Sequence, residues 1–351
     1  MAGKTQNLLK LRGMIPSRIN LILQVGGFFL FFLVWYVLTM GSNPVFPDTI
    51  LPTPYDSFKA FFTLLHENDL VVHVLHSVGL NLGGYIEAIV LSILFGFVIG
   101  LFPLFRGLFQ KQVDALRFVP LTAVTGIFIV WFGIGVAMKI HFLAFGIFIY
   151  LLPVVVQRID EVSDVYTKTV YTLGANTWQT IKSVYIPFVM SKVVDDIRVL
   201  TAISWTYIII AEVRGSDPGI GALMWRLGGR LGQVDKLFAL LVIVIFIGVV
   251  QDQLFKMLDR HFFPHKYLIS GEYGKTKQPS AIQVMLTYVW KTLFYVILAI
   301  ALLLIINEYT GIITSEKIFA YYFGGTASIV IFSLIGLIVY QVYSLSKSLK
   351  K

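Results

Sequence analysis

The chain has 351 residues, 57% of them hydrophobic and only 13% charged, with a mean hydropathy of +0.81 and a formal net charge of +9. A soluble domain carries about 25% charged residues, so this composition excludes an ordinary water-facing globule and points to a membrane. The absence of cysteine excludes a disulfide framework and thiol-ligated metal as well.

In chain order, a basic stretch with Lys4, Lys10, Arg12 and Arg18 precedes an apolar run at Ile19–Met40. That run is too long for a signal peptide and lacks a small-x-small cleavage site, so it reads as a retained membrane helix with a basic anchor. Further runs of about the 20 residues that a bilayer core requires follow at Gly84–Phe105, Met138–Gln157, Leu237–Leu258, Met285–Ile306 and Phe323–Leu345. Two weaker runs, Val119–Val136 and Val193–Val213, bring the expected number of spans to eight. The second of these opens near Asp195 and Asp196, whose charges belong at or beyond the membrane edge.

The expected fold class is therefore all-α and polytopic. With the N-terminus inside, about 20 of the 28 Lys and Arg residues fall in the inside segments, and the opposite orientation would invert the bias. Both termini are thus expected on the cytoplasmic side. The net charge then serves the membrane surface and requires no nucleic acid.

The longest inside connection runs from about Arg158 to Lys192, between the fourth and fifth spans. Within it Gly174 suits a left-handed helix stop, and Pro187 opposes a helix running through it. Asn176 is a good N-cap, and Gln179 three residues on can reach back to its amide as in a capping box. The expectation is two short helices joined at Gly174, the second with an apolar side made of Trp178, Ile181 and Val184.

This segment resembles the signature loop of ABC-importer permeases, whose pattern is Glu-Ala-Ala, three residues, Gly, nine residues, Ile, one residue, Leu-Pro. Here Gly174 is followed in register by Val184, Ile186 and Pro187, and Leu173-Gly174-Ala175 also fits. The opening triad departs, with Lys168, Thr169 and Val170 in its place. The resemblance runs from about Trp35 to His261 and is nearest to the nitrate/sulfonate/taurine/bicarbonate group. Leu51-Pro52-Thr53-Pro54, Trp131-Phe132-Gly133-Ile134-Gly135, Ala211-Glu212 and Pro218-Gly219-Ile220-Gly221 occur in the group's order.

The resemblance implies a type I ABC-importer transmembrane domain with a core of about six helices, in the cell inner (cytoplasmic) membrane. It implies two ABC ATPase subunits, an extracytoplasmic solute-binding protein and a second permease copy as partners, besides membrane lipid. ATP hydrolysis would sit on the separate ATPase, so no enzyme activity and no cofactor are expected of this chain. Leu173, Gly174, Ala175, Asn176, Thr177, Trp178 and Pro187 would form the ATPase-coupling loop. The expected organisation is a basic cytoplasmic segment at 1–18, the permease domain at 19–264, a cytoplasmic linker at 265–280 and a two-helix membrane extension at 281–351.

Other residues carry weaker signals. Ser204, Trp205, Thr206 and Glu212 in the fifth span are candidates for a pathway or gate, although membrane helices also use such residues to pack together. Arg214, Arg226 and Arg230 with Lys236 outnumber Asp217 and Asp235 in the outer loop. They are candidates for docking an acidic binding-protein lobe or steering an anion, with headgroup anchoring the plainer reading. Glu87, placed near the outer end of the second span, reads as structural, and Lys291 is near enough to the inner edge to snorkel.

Gly271–Thr276 contains Gly-Lys-Thr, but Ile269 stands where a phosphate loop needs its first glycine, so it reads as a linker. His73 and His76, placed in an outside segment, and His261 and His265 lack convergent acidic or thiol ligands for a metal. Two further classes remain as alternatives. A secondary transporter or channel would show broken repeats and mid-span charge. An intramembrane enzyme would need a catalytic set deep in the spans.

Overall fold

The computed structural model describes residues 17–41, 44–215, 217–263, 266, 281–311 and 316–349. The basic N-terminal segment before Ser17, His265, the linker with its Gly271–Thr276 stretch and the final Lys350–Lys351 lie outside the described residues. So does the side chain of Lys291.

Among the described residues every regular element is a helix. They are α1 (Ser17–Thr39), α2 (Pro54–Glu67), α3 (Leu70–Leu101), α4 (Pro103–Leu116), α5 (Leu121–Phe132), α6 (Val136–Asp160) and α7 (Asp164–Thr172). Then come α8 (Thr177–Thr180), α9 (Ile186–Glu212), α10 (Ile220–Met224), α11 (Val234–Phe262), α12 (Ala281–Thr310), α13 (Ile318–Phe323) and α14 (Ala327–Leu349). Among the described residues six helical segments are long and apolar enough to cross a membrane, Ile19–Thr39, Leu70–Leu101, Val136–Asp160, Val234–Arg260, Thr292–Thr310 and Ile318–Tyr343, or seven if the bent pair of α4 and α5 is one span.

The two weaker runs behave differently from the rest. Val119–Val136 yields the 12 residues of α5, about 18 Å of helix, and it is long and apolar enough for a span only together with α4. Pro120 opens α5, Gly133 closes it at φ +76°, and α4 joins it through a bend of 110°. The Val193–Val213 run forms the later part of α9, and its first turns carry Asp195, Asp196 and Arg198, with Lys192 just before it. The second span also begins earlier than its apolar run. Asp69, at φ 46°, starts α3 at Leu70, which moves Glu87 from a helix end to mid-helix.

The chain divides into two compact units. In the unit of Met1–Asn68 and Leu227–Leu241, Trp35 Nε1–H donates to the Pro52 carbonyl at 2.9 Å. Its ring meets Phe238 with centroids 6.0 Å apart. Thr53 caps α2 by accepting from the Asp56 N–H at 3.1 Å, and this explains why the Leu-Pro-Thr-Pro motif is a helix start.

The second unit holds Asp69–Arg226 and Val242–Lys351. Its centre is α3 packed along α6, with Gly84 against Leu143, Gly96 against Val155 and Gly100 against Ile159. Small residues let two backbones approach where lipid removes the hydrophobic drive for association. Leu121, Phe128, Met138, Phe142, Ile149 and Ala211 close a core shared by α5, α6 and α9.

The C-terminal extension docks on α3 in this same unit. Gly79 faces Thr326 and Phe323, and Gly83 faces Ile329, while Ile305 of α12 joins Phe319, Val330 and Ile331 in a cluster. A Gly79→Leu change is expected to cost about 1–3 kcal/mol through overpacking. The check is the thermal midpoint in detergent, with Gly107→Leu, where a side chain meets open space, as the control that stays unchanged.

Candidate functional site

The connection between α6 and α9 is built from local chemistry. Ser163 opens α7, its Oγ accepting from the Val165 N–H at 3.4 Å. At the other end the Gly174 N–H donates to Tyr171 O at 2.9 Å and the Ala175 N–H to Val170 O at 3.2 Å. Gly174 takes φ +82°, the left-handed conformation that a residue with a Cβ adopts only at a cost. Both bonds of the capping box form: Gln179 N–H to Asn176 Oδ1 and Asn176 N–H to Gln179 Oε1, each 2.8 Å.

Pro187 does not end the helix as its residue type suggests. Ile181–Tyr185 is π-helical, with the Ile186 N–H donating to Ile181 O, and α9 follows directly with Pro187 in its first turn. The wider turn absorbs the hydrogen bond that proline cannot donate. The second helix is therefore continuous with α9 instead of short and free.

This capped turn presents apolar groups outward. Leu173 is 81% exposed and Trp178 67% exposed, and neither adds to the chain's own core. The Tyr185 phenol has its pKa pushed up by burial, then by the charges of Tyr171, Asp164 and Asp160, so it stays neutral. A groove of about 850 Å³ runs between α7 and the start of α9, with Tyr166, Val170, Val184 and Phe188 among its walls.

At the other end of α9 a buried polar clasp holds the following loop. The Glu212 side chain is fully buried. Ser77 Oγ–H donates to Glu212 Oε1 at 2.5 Å, and the Gly221 N–H donates to Oε2 at 2.8 Å. Ser77 Oγ in turn accepts from the Ile220 N–H at 2.9 Å, and the Gly219 N–H donates to His73 Nδ1 at 2.8 Å. Glycine is required at 219 and 221 because a Cβ there would press on the Glu212 carboxyl and on the Ile209 backbone. Beside the clasp the fully buried Lys139 ammonium donates to Asp217 Oδ2 at 3.0 Å, with Gly215 against its stem.

His73 and His76 lie one turn apart in the first turns of α3. Among the described residues no group of three His, Cys, Asp or Glu is placed to hold a metal. Lys139 escaped sequence reasoning, although an ionisable residue inside a span is itself a signal. Glu87 bonds His141 Nδ1 at 2.8 and 2.9 Å, tying α3 to α6. Phe132 packs against the histidine with ring centroids 4.5 Å apart and planes tilted by 41°.

The structure separates the four pathway candidates. Ser204 is buried, donating to Thr201 O at 2.7 Å and accepting from Asn81 Nδ2 at 3.1 Å. Trp205 is buried with its Nε1–H on Gln251 Oε1 at 2.7 Å. Thr206 is exposed on α9, and Glu212 sits in the clasp. Arg214 and Arg226 are exposed in one unit, and Arg230 is exposed in the other.

Residues 88–264 match the family model described as "Binding-protein-dependent transport system inner membrane component". SsuC of Bacillus subtilis (strain 168), assigned to aliphatic sulfonates transport, is 27% identical over 65% of this chain and 81% of its own length. The taurine transport system permease protein TauC of Escherichia coli (strain K12) is 22% identical over 71% and 91% respectively. The riboflavin transport system permease protein RibX of Chloroflexus aurantiacus is 25% identical over 64% and 82%. A crystal structure of an amino acid ABC transporter with histidines aligns at TM-score 0.48 and 12% identity, over 57% of this chain and 98% of that one.

Proposed function

The chain belongs to the family of binding-protein-dependent transport system inner membrane components, and from that premise we propose that its loop around Gly174 is the contact through which a cytoplasmic ATPase drives solute import. Permeases of this class are not enzymes and leave ATP hydrolysis to separate ATPase subunits. The observation that carries the proposal is the exposure of Leu173 and Trp178 on a turn held rigid by the capping box. Exposed apolar groups on an otherwise satisfied, polar turn mark a protein-docking surface.

In this reading the chain sits in the inner membrane with both termini cytoplasmic, pairs with a second copy and takes two ATPases. Leu173, Gly174, Ala175, Asn176, Thr177 and Trp178 form the seat, and Pro187 sets the turn behind it. The solute is a small anion, as the names of the sulfonate and taurine relatives support. Thr206 is the α9 candidate facing it, with Ser204 and Trp205 holding that helix in place. Arg214 and Arg226 receive an acidic lobe of the solute-binding protein, and Arg230, in the other unit, is a separate candidate for it.

The test is to solubilise the tagged chain from its native host and identify its companions. Recovery of an ATPase, with ATP-dependent uptake of taurine or an alkanesulfonate by the reconstituted complex, is the expected result. A chain that emerges alone and moves solute in liposomes without an ATPase would overturn the proposal. Arg226→Glu is expected to slow binding-protein association about 10-fold at low ionic strength, with the difference shrinking as salt is raised. Surface plasmon resonance across a salt series checks it.

A further inference from the structure

The inner ends of the second unit's helices are joined by ion pairs that no part of the proposed import cycle has yet used. Arg158, near the C-terminal end of α6, forks onto Asp196 of α9: Nε to Oδ2 and Nη2 to Oδ1, both 2.8 Å. Its Nη1 also donates to Glu161 at 2.6 and 2.9 Å. On one side Arg106 of α4 pairs with Asp160 at 2.6 Å. On the other, Arg198 of α9 pairs with Asp252 of α11 at 3.3 Å.

The position of the fork in the chain gives it meaning. Arg158 precedes α7 and Asp196 follows α8 and the π-turn, so the pair closes the base of the whole inner connection across 38 residues of sequence. A bidentate guanidinium–carboxylate fork fixes both distance and orientation, which a single lysine contact does not. The side chains are only partly exposed, so water and salt screen the pair less than they screen a surface bridge.

We propose that Arg158–Asp196 is a positioning tie that makes α6 and α9 move together when the Gly174 turn is displaced, and that α4 follows through Arg106–Asp160. The proposal rests on the coupling reading of that turn. Without the tie, the 38-residue connection would flex at its base, and displacement at Leu173 and Trp178 would part the two helices instead of carrying them together.

The chain has no cysteine, so spin labels at Gln157→Cys and Val199→Cys, both exposed, report the α6–α9 spacing on a clean background. The complex with its co-purified ATPase, labelled chain diluted in unlabelled chain, is measured by pulsed electron resonance before and after Mg-ATP with vanadate. In the otherwise native chain the mean distance is expected to stay within about 2 Å. Arg158→Ala is expected to broaden and shift it on ATP trapping, and the swap R158D/D196R to restore the narrow distribution. A native distance that moves by more than that, an R158A distribution that stays native, or a swap that stays broad overturns the tie. Where R158A does not accumulate, the native-chain measurement decides alone. Absence of the ATPase from the native preparation overturns the coupling reading itself, a result visible before any distance is measured.

Discussion

Replacing Gly174 and Ala175 by bulky charged residues, Gly174→Arg with Ala175→Glu, is expected to strip the ATPase from the purified chain while leaving the chain folded in the membrane. A Cβ at Gly174 meets nothing within 4 Å, so the change overpacks no core. What it attacks is the backbone at φ +82°, where an L side chain costs roughly 1–2 kcal/mol. The turn then relaxes, and the relation between α7 and the capping box that presents Leu173 and Trp178 is lost. Two charges placed between those apolar groups add a desolvation cost of several kcal/mol on docking. The combined effect is at least about a 100-fold loss of ATPase binding, since 1.4 kcal/mol is a factor of ten. Quantitative co-purification checks it, with thermal stability as the folding control. Native stoichiometry in the double variant would sink the assignment of this turn.

The second large effect is expected at the clasp. Glu212→Ala removes the acceptor for Ser77 Oγ–H and the Gly221 N–H, and each donor left buried costs about 1–3 kcal/mol. The loss of about 2–6 kcal/mol corresponds to a drop of about 5–15 °C in thermal midpoint for a large domain. Glu212→Gln keeps the volume but turns an amide N–H₂ toward one of the two donors, so about half the loss is expected. Differential scanning fluorimetry in detergent distinguishes the cases. Native stability in E212A combined with lost uptake would instead mark Glu212 as a gate that the fold can do without.

These two sites differ in how much of them a reader of the sequence could see. The inner turn was legible because its causes are local: Gly174, Asn176 and Gln179 act on backbone groups three or four residues away. The clasp was not, because Ser77 and Glu212 are 135 residues apart and Lys139 meets Asp217 across 78. Composition located the spans but not their ends. Asp69 begins α3 well before its apolar run, and Pro120 and Gly133 bound α5 so that it pairs with α4 across a bend where the sequence reads as one run. Pro187 misled through an omission of another kind, since proline's effect on a helix depends on whether the preceding turn can widen. Nothing in the pattern of α12–α14 announced their seat on α3, because Gly79 and Gly83 act there through the side chains they lack.

That widened turn has a mechanical consequence. Because the helix does not stop at Pro187, the residues from Thr177 to Glu212 form one connecting rod about 54 Å long at 1.5 Å per residue. Its inner tip carries the capping box and its outer tip carries the carboxylate of the clasp. The π-turn at Ile181–Tyr185 interrupts the α-helical pitch close to the capped end. Under the proposed coupling, a displacement of the capped tip would pass first through this π-turn and then along α9 to the clasp, so stiffening the π-turn is expected to change how early the clasp responds, not whether it does.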